Sequence, residues 1–446
     1  MSLNLTEEQI LKLAPDASSE KAGKGLATQS KWVLRVCNDR VLWGHCQGSG
    51  KNPYQTAIDL NNIAFKCSCP SHKFPCKHGL GLLLLYAAQP QLFGQEDEPD
   101  WVTDWLAKRE QKAEKKIQTE QQNSEKPVDE VAQTKRLEAR HKKVTGGIEE
   151  LQIWLKDMVR NGLLNIPERA HTLFEGVARR MVDAQAPGLA GMVHRLQEID
   201  YYRDEWKYEL TERLSKIWLL TESYKRLEQL PDDWQQEIKN LIGFVQPKED
   251  VFAGEPVKDE WLVLGTDSRR QDRITVDYNW LWGRQTGRKA LFIQFIAPGA
   301  LPEFNLLPGS VFKGEVFYYK GIAPLRGLLK QSGITDETVM PPACDGLTQA
   351  FKAYRNEVCL NPFVEDVPLL VSGIRLVCEG NNWWITDEEG KIVRVVLNES
   401  GKMKILAVTG GKSFTGFLSG NTLAWTLRSV WVDGKYYFLR NDESDR

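Results

Sequence analysis

Twelve residues constrain this chain more than any others: Cys67-Ser68-Cys69-Pro70-Ser71-His72-Lys73-Phe74-Pro75-Cys76-Lys77-His78. The segment reads C-x-C-x6-C-x-H, two close ligand pairs joined by a short loop. One residue between the members of a pair lets both side chains turn toward a common point from a strand end or a helix start. Three thiolates and one imidazole make a complete tetrahedral donor set for Zn2+, structural in kind, with no position left open for a substrate. Pro70 and Pro75 bracket the loop and lower the entropy lost on ordering it. The expected ligands are Cys67, Cys69, Cys76 and His78. His72 competes as an imidazole, but it lies in mid-loop outside either pair, where a solvated or supporting place suits it better.

The flanks agree with this reading. Tyr54–Leu60 alternates as a strand and Ile63–Lys66 reads as its return strand. After the motif, Gly79–Ala88 is a buried apolar helix that stops at Pro90. The first ligand pair therefore sits at a strand end, and Cys76 and His78 at a helix start. Upstream, Lys31–Asn38 and Val41–Gly44 read as two more strands of the same small antiparallel sheet. Thr6–Ala14 reads as a short helix with Thr6 as N-cap and Gln9 three residues on.

The motif resembles the SWIM-type zinc finger, C-x-C, a variable spacer, then C-x-H. The resemblance extends to Trp43-Gly44, Cys46 to Gly50, Pro53-Tyr54, Asp59-Leu60 and Pro75 to Leu80, the surroundings of the motif in uncharacterised bacterial SWIM proteins. It covers roughly residues 30–90. SWIM fingers are associated with both DNA and protein contacts. Bacterial members are often encoded beside AAA-type ATPases and von Willebrand A-type proteins, so the resemblance implies those as partners.

The whole chain is 446 residues with 41% hydrophobic and 26% charged residues, ordinary for a soluble protein with room for several domains. The longest apolar run, Leu82 to Ala88, is far too short to span a bilayer, and no basic-then-apolar leader opens the sequence, so neither membrane nor secretion is expected. Eight cysteines, three of them in the motif and the rest without paired spacing, suit a reducing cytoplasm. Net charge is −2, but residues 1–95 hold ten Lys/Arg against six Asp/Glu, a net of +4. A basic finger module on a more acidic body is compatible with phosphate contacts, for which Lys66, Lys73 and Lys77 flank the metal ligands.

Four regions are expected in an α+β multidomain chain: a SWIM zinc-finger sheet-and-helix module over 1–94, a charged linker over 95–145, a helical bundle over 146–245, and a β-rich barrel- or sandwich-like region over 250–446. The linker carries twelve acids and eleven Lys/Arg, although Trp101, Trp105 and Leu106 form a stripe able to pack back on the finger. The bundle shows apolar stripes at helical spacing: Ile148, Leu151, Leu155, Met158 and Val159, then Leu173, Phe174, Val177, Met181 and Val182, then Leu189 to Ile199, then Leu210 to Leu227. His171 and His194 lie on or beside these faces without a thiol or carboxylate partner at ligand spacing. In the last region strands are expected at Trp261–Gly265, Arg273–Trp280, Ala290–Ala297, Val311–Tyr319, Leu369–Cys378, Trp383–Thr386, Ile392–Leu397, Lys404–Val408, Thr422–Leu427 and Lys435–Leu439, with a helix over Asp345–Leu360. Trp280, Trp282, Trp383, Trp384, Trp425 and Trp431 are either core filling of small β domains or surfaces for stacking bases or a proline-rich peptide.

Catalytic motifs are missing. Gly48-Ser49-Gly50-Lys51 lacks the P-loop glycine at His45, and Asn52 follows the lysine, so no nucleotide site is expected. A closed metal site does not serve hydrolysis, which needs an open coordination position. Two non-enzymatic functions remain: a zinc-binding SWIM protein in nucleic-acid (DNA) binding or regulation, or a protein–protein interaction scaffold.

Overall fold

The computed structural model describes residues 5, 7–48, 50, 52–61, 63–71, 73–109, 111, 130–271, 274–297, 302–335, 339–380, 382–421 and 425–439. The expected N-cap Thr6 and the mid-loop His72 lie outside them.

Helices α1 (Glu7–Leu11) and α2 (Ala17–Leu26) precede the strands β1 (Trp32–Cys37), β2 (Val41–Cys46), β3 (Tyr54–Asp59) and β4 (Ala64–Cys67), then α3 (Lys77–Ala88) and the short β5 (Gly94–Gln95). The carboxylate of Asp16 accepts the Ser19 amide at 2.7 Å and starts α2. The four strands form an antiparallel meander, and β5 adds to β1 in parallel. Helix α3 is apolar on all sides because it is enclosed: its Leu82 and Leu83 join one core with Leu42, Ile58 and Phe65 of the sheet and Ile10 of α1. Glycine at 81 allows its close approach to α2, since a methyl there would meet Leu26 Cβ at 2.7 Å.

Helix α4 (residues 100–109) covers the opposite face of the sheet. Val102 and Leu106 pack on Val36, Val41, Trp43 and Ala57, with Trp101 and Trp105 alongside, as the aromatic stripe suggests. The stretch read as linker is further reduced at its other end. Helix α5 (Glu130–Asn161) begins well before residue 146, and Val144 is already in the bundle core. Residues 134–139 are all exposed, and 135–139 are strong helix formers, so no apolar period marks this part of the helix.

Four further helices, α6 (Ala170–Asp183), α7 (Pro187–His194), α8 (Trp206–Lys225) and α9 (Asp232–Ile242), complete the bundle around Leu151, Phe174, Leu189, Leu210 and Ile238. Val159 and Val182, expected in the stripes, are instead 62% and 59% exposed. Each follows a methionine that already faces the core, and one step along a helix turns the side chain by 100°. His171 is exposed, and the amide of Gln197 contacts the ring of His194.

After α10 (Lys248–Phe252) the strands β6 (Val257–Gln271), β7 (Ile274–Gly283), β8 (Lys289–Ile296), β9 (Val311–Tyr318) and β10 (Arg326–Thr335) close into a barrel. Then come β11 (Cys344–Asp345), α11 (Gly346–Leu360), β12 (Val367–Glu379), β13 (Asn382–Thr386), β14 (Ile392–Val396), α12 (Glu399–Thr409), β15 (Phe414–Gly420), β16 (Trp425–Val432) and β17 (Lys435–Phe438). Here too the pairing of β12 with β15 closes a ring of five, β12-β13-β14-β16-β15. Numbered within each ring, both have the order 1-2-3-5-4. Strands 3 and 5 pair in parallel over only two residue pairs, and all other pairs are antiparallel. In both, a long first strand changes partner at a bulge, between Val263 and Gly265 and between Val371 and Ile374, where Gly373 takes φ +68°. The β-rich region is thus two consecutive barrels of one connectivity.

The barrels pack on each other through Leu262, Leu264, Trp280 and Trp282 of the first and Leu370, Phe417 and Trp431 of the second. Trp425 fills the second core, so four of the six tryptophans are core filling. Two expectations change. Lys404–Val408 is not a strand but part of α12: Asn398 caps the helix by accepting the Gly401 amide, and Gly410 ends it in the left-handed region. Strands β10 and β15 carry glycines that hide them in the sequence. A methyl at Gly327 would meet Val316 at 2.6 Å, and one at Gly416 would meet Leu427 at 2.7 Å.

The finger module sits on the first barrel. Leu307, from the β8–β9 connection, joins the module's core, Asn305 donates to the Ile63 carbonyl at 2.8 Å, and Gln9 donates to the Pro308 carbonyl at 2.8 Å. Among the described residues no helix is long and apolar enough to cross a membrane.

Candidate metal centre

Strand β4 ends at Cys67, and the chain turns through Cys69 into the loop before Cys76 opens α3. His78, one residue into that helix, faces back toward the strand. The sheet register fixes the first half of the site: Thr56 of β3 lies directly opposite Cys67. The helix fixes the second half, because Gly79 lets α3 lie against β4. A methyl at 79 would stand 2.7 Å from Phe65 Cδ1. The quartet therefore depends on the sheet and the helix being packed together.

The ligand atoms of Cys67, Cys69, Cys76 and His78 all lie within 4.8 Å of one another and can hold a metal ion. His78 Nδ1 is 3.7 Å from Cys67 Sγ and 3.9 Å from Cys76 Sγ. Cys76 and His78 are buried, at 4% and 5% exposure, and the Cys67 and Cys69 side is half-buried. Among the described residues no other His/Cys/Asp/Glu group has such geometry.

The thiols are electrostatically unequal. The hydrogen bond to Cys76 and then burial push the Cys67 thiol up to about 11. Cys76 is held below the usual thiol range, first by that bond from Cys67 and also by the Gly79 amide at the start of α3, where the helix dipole favours a thiolate. Burial raises Cys69. Metal binding requires all three thiols to lose their protons.

Two supporting residues carry no metal-ligand signature. Thr56 Oγ1 lies 3.3 Å from Cys67 Sγ, and the Tyr54 ring packs on His78 at 4.9 Å between centroids. Both belong to the strand opposite β4, so a hairpin reading carried one step further to its register identifies them.

The three lysines beside the ligands fare differently. Lys66 donates to the Trp101 carbonyl at 2.9 Å and lies over that indole. Lys73 pairs with Asp16 at 2.8 Å and donates to Ser18. Lys77 is exposed. The loop between the ligand pairs faces the first barrel: Phe74 and Pro75 line a cleft of about 540 Å³, whose other wall includes Thr266, Asp277 and Asn279.

Residues 54–87 match the family model of the SWIM zinc finger, and residues 139–242 match that of the SWIM-associated four-helix bundle domain. No curated protein and no solved structure matches the chain. The first match contains all four ligands, and the second runs from within α5 to the end of α9. This chain carries a SWIM zinc finger and, beyond it, the SWIM-associated four-helix bundle.

Proposed function

We propose that this is a non-enzymatic nucleic-acid-binding protein in which zinc acts as a structural staple. The donor set supports zinc. Metal–sulfur bonds of about 2.3 Å and metal–nitrogen bonds of about 2.0 Å place tetrahedral donors roughly 3.5–3.8 Å apart. The S···N separations of 3.7 and 3.9 Å come within a few tenths of an ångström of that spacing, in a quartet whose ligand atoms lie within 4.8 Å of one another. Cys67, Cys69, Cys76 and His78 would supply all four bonds, so the ion contributes folding energy and offers no position to a substrate.

The observation that carries the nucleic-acid reading is the pair of consecutive 1-2-3-5-4 barrels. This is the connectivity of the oligonucleotide/oligosaccharide-binding barrel, which presents the face of its second and third strands to extended polymers. Of the three lysines beside the quartet, Lys66 and Lys73 are engaged within the module, and Lys77 alone is left for a phosphate. The finger's loop looks onto the first barrel, which suits holding the module in place. Binding of the full chain to single- and double-stranded DNA and RNA, titrated with salt, tests this. Affinity that falls with salt supports it, and no binding of any of them near physiological salt refutes it.

A groove on the bundle favours a second reading, a scaffold for protein partners. Leu155, Val159, Leu163, Leu214 and Trp218 line an apolar trough of about 520 Å³ between α5 and α8. An AAA-type ATPase or von Willebrand A-type protein is the class of partner that SWIM resemblance brings to it, and a native pull-down recovering neither counts against this reading.

A further inference from the structure

The geometry points to one face of the second barrel, centred on Trp384, as the binding platform for a single strand of nucleic acid. This rests on the nucleic-acid reading and gives it a site. Pairing in β12, β13 and β14 puts Val377, Trp384 and Arg394 in one row across the sheet, and Arg375, Thr386 and Ile392 in the next. Residues directly opposite share a face, and the rows are two residues apart, so all six point the same way. Ile385 and Val395, one step along, point inward to the barrel core. The six are therefore on the outer face of the ring's first three strands.

The composition of this face is unusual for a solvated sheet. Trp384 is only partly covered, Ile392 is 58% exposed and Val377 is 37% exposed. Arg394 of β14 stands directly opposite the indole and Arg375 of β12 lies diagonally from it, one row along, and neither has an ion pair with the described residues. Among the paired strand positions, Glu379 at the end of β12, opposite Asn382, brings a carboxylate to the same face. A partly exposed indole with one arginine opposite and another on the diagonal is the equipment for stacking an unpaired base while its phosphates are neutralised. A duplex offers no free base face, so single strands are favoured. A protein ligand explains the aromatic residue but gives the paired arginines no necessary role.

The two barrels differ at this face. In the first, the equivalent strands turn Trp280 and Trp282 into the contact with the second barrel, and both are buried. The second makes that contact through Leu370, Phe417 and Trp431, leaving β13 and β14 free. Of two like barrels, one gives this surface to assembly and the other keeps it open.

The test uses the full chain with its metal and a fluorescent fifteen-nucleotide dT strand, the matching rU strand, a duplex of the same length, and a polyproline peptide. The expected result is tighter binding of the single strands than of the duplex, and a loss of about tenfold to a hundredfold in Trp384→Ala. Trp384→Phe restores part of it. Arg375→Gln together with Arg394→Gln lowers the slope of log affinity against log salt by about 0.7 per lost phosphate contact. Lys156→Gln, on the bundle, changes nothing. If the chain binds the strands but Trp384→Ala and the arginine pair match the parent within twofold, the platform is elsewhere and this inference is wrong while the nucleic-acid reading survives. Binding of none of the nucleic acids overturns both. Polyproline binding that depends on Trp384, with no strand binding, makes the face a peptide site and also overturns the proposal.

Discussion

Replacing Gly79 with alanine should loosen the metal centre although it touches no ligand. The added methyl would stand 2.7 Å from Phe65 Cδ1 and 3.4 Å from Cε1, so ring or helix must give way by several tenths of an ångström. Phe65 is 6% exposed and is fixed edge-on by Phe74, with 6.2 Å between ring centroids, so the ring has little room to yield. Overpacking of this kind costs roughly 1–3 kcal/mol. Alanine returns about 0.5–1 kcal/mol through helix propensity, leaving a net loss centred on about 1 kcal/mol and at most about 2.5 kcal/mol. The displacement falls between the two ligand pairs, because Phe65 is two residues from Cys67 and Gly79 is next to His78. Competition with a chromophoric zinc chelator should therefore show metal held up to about tenfold more weakly. Gly176→Ala is the matched control: this glycine is exposed within α6 with nothing within 4 Å of a new methyl, and there alanine should stabilise. Zinc affinity and thermal stability unchanged or improved in Gly79→Ala would refute the close packing of α3 on β4.

Three further expectations follow from other sites. Cys76→Ser keeps a good N-cap for α3 but removes one of four ligands of a site worth on the order of 10 kcal/mol, so chelator competition should show roughly a hundredfold weaker zinc; parent-like affinity would remove Cys76 from the ligand set. Arg428→Met should destabilise the barrel pair by about 3–5 kcal/mol in urea unfolding, because the guanidinium is 3% exposed, lies 3.1 Å from Asp267, donates to Ser419 and covers Trp280, and a midpoint unchanged from the parent would contradict that. Burial pushes the Lys404 ammonium down to about 8 while its Nζ donates to the Phe438 carbonyl. Its folded value lies below the unfolded one, so this group's unfavourable contribution is full below pH 8 and fades as pH rises toward about 10.4; NMR titration of Lys404 with a midpoint near the ordinary lysine value would show the burial to be wrong.

The metal quartet was the most legible part of the chain, because ligand spacing is local and both flanking elements have plain periodicity. The bundle was legible from its apolar stripes, with errors at Val159 and Val182 where adjacent apolar residues cannot share one face. What stayed hidden depends on distant contacts. The early part of α5 is exposed over residues 134–139 and acquires a place only where Val144 meets the core. Strands β10 and β15 look like loops because their glycines serve close neighbours rather than propensity. Helix α12 resembles a strand in sequence because Ile405, Leu406 and Val408 are apolar and β-branched in part, and the residues that bound it, Asn398 and Gly410, lie outside that apolar run. Barrel closure follows from pairing across forty residues or more, which no local pattern records.

The most direct test of the central claim is native mass spectrometry of the intact chain, with and without His78→Ala. The account predicts one zinc ion per parent chain and none in the variant under mild chelation. A parent chain without zinc, or full occupancy in the variant, would contradict the assignment of Cys67, Cys69, Cys76 and His78 as a closed zinc site.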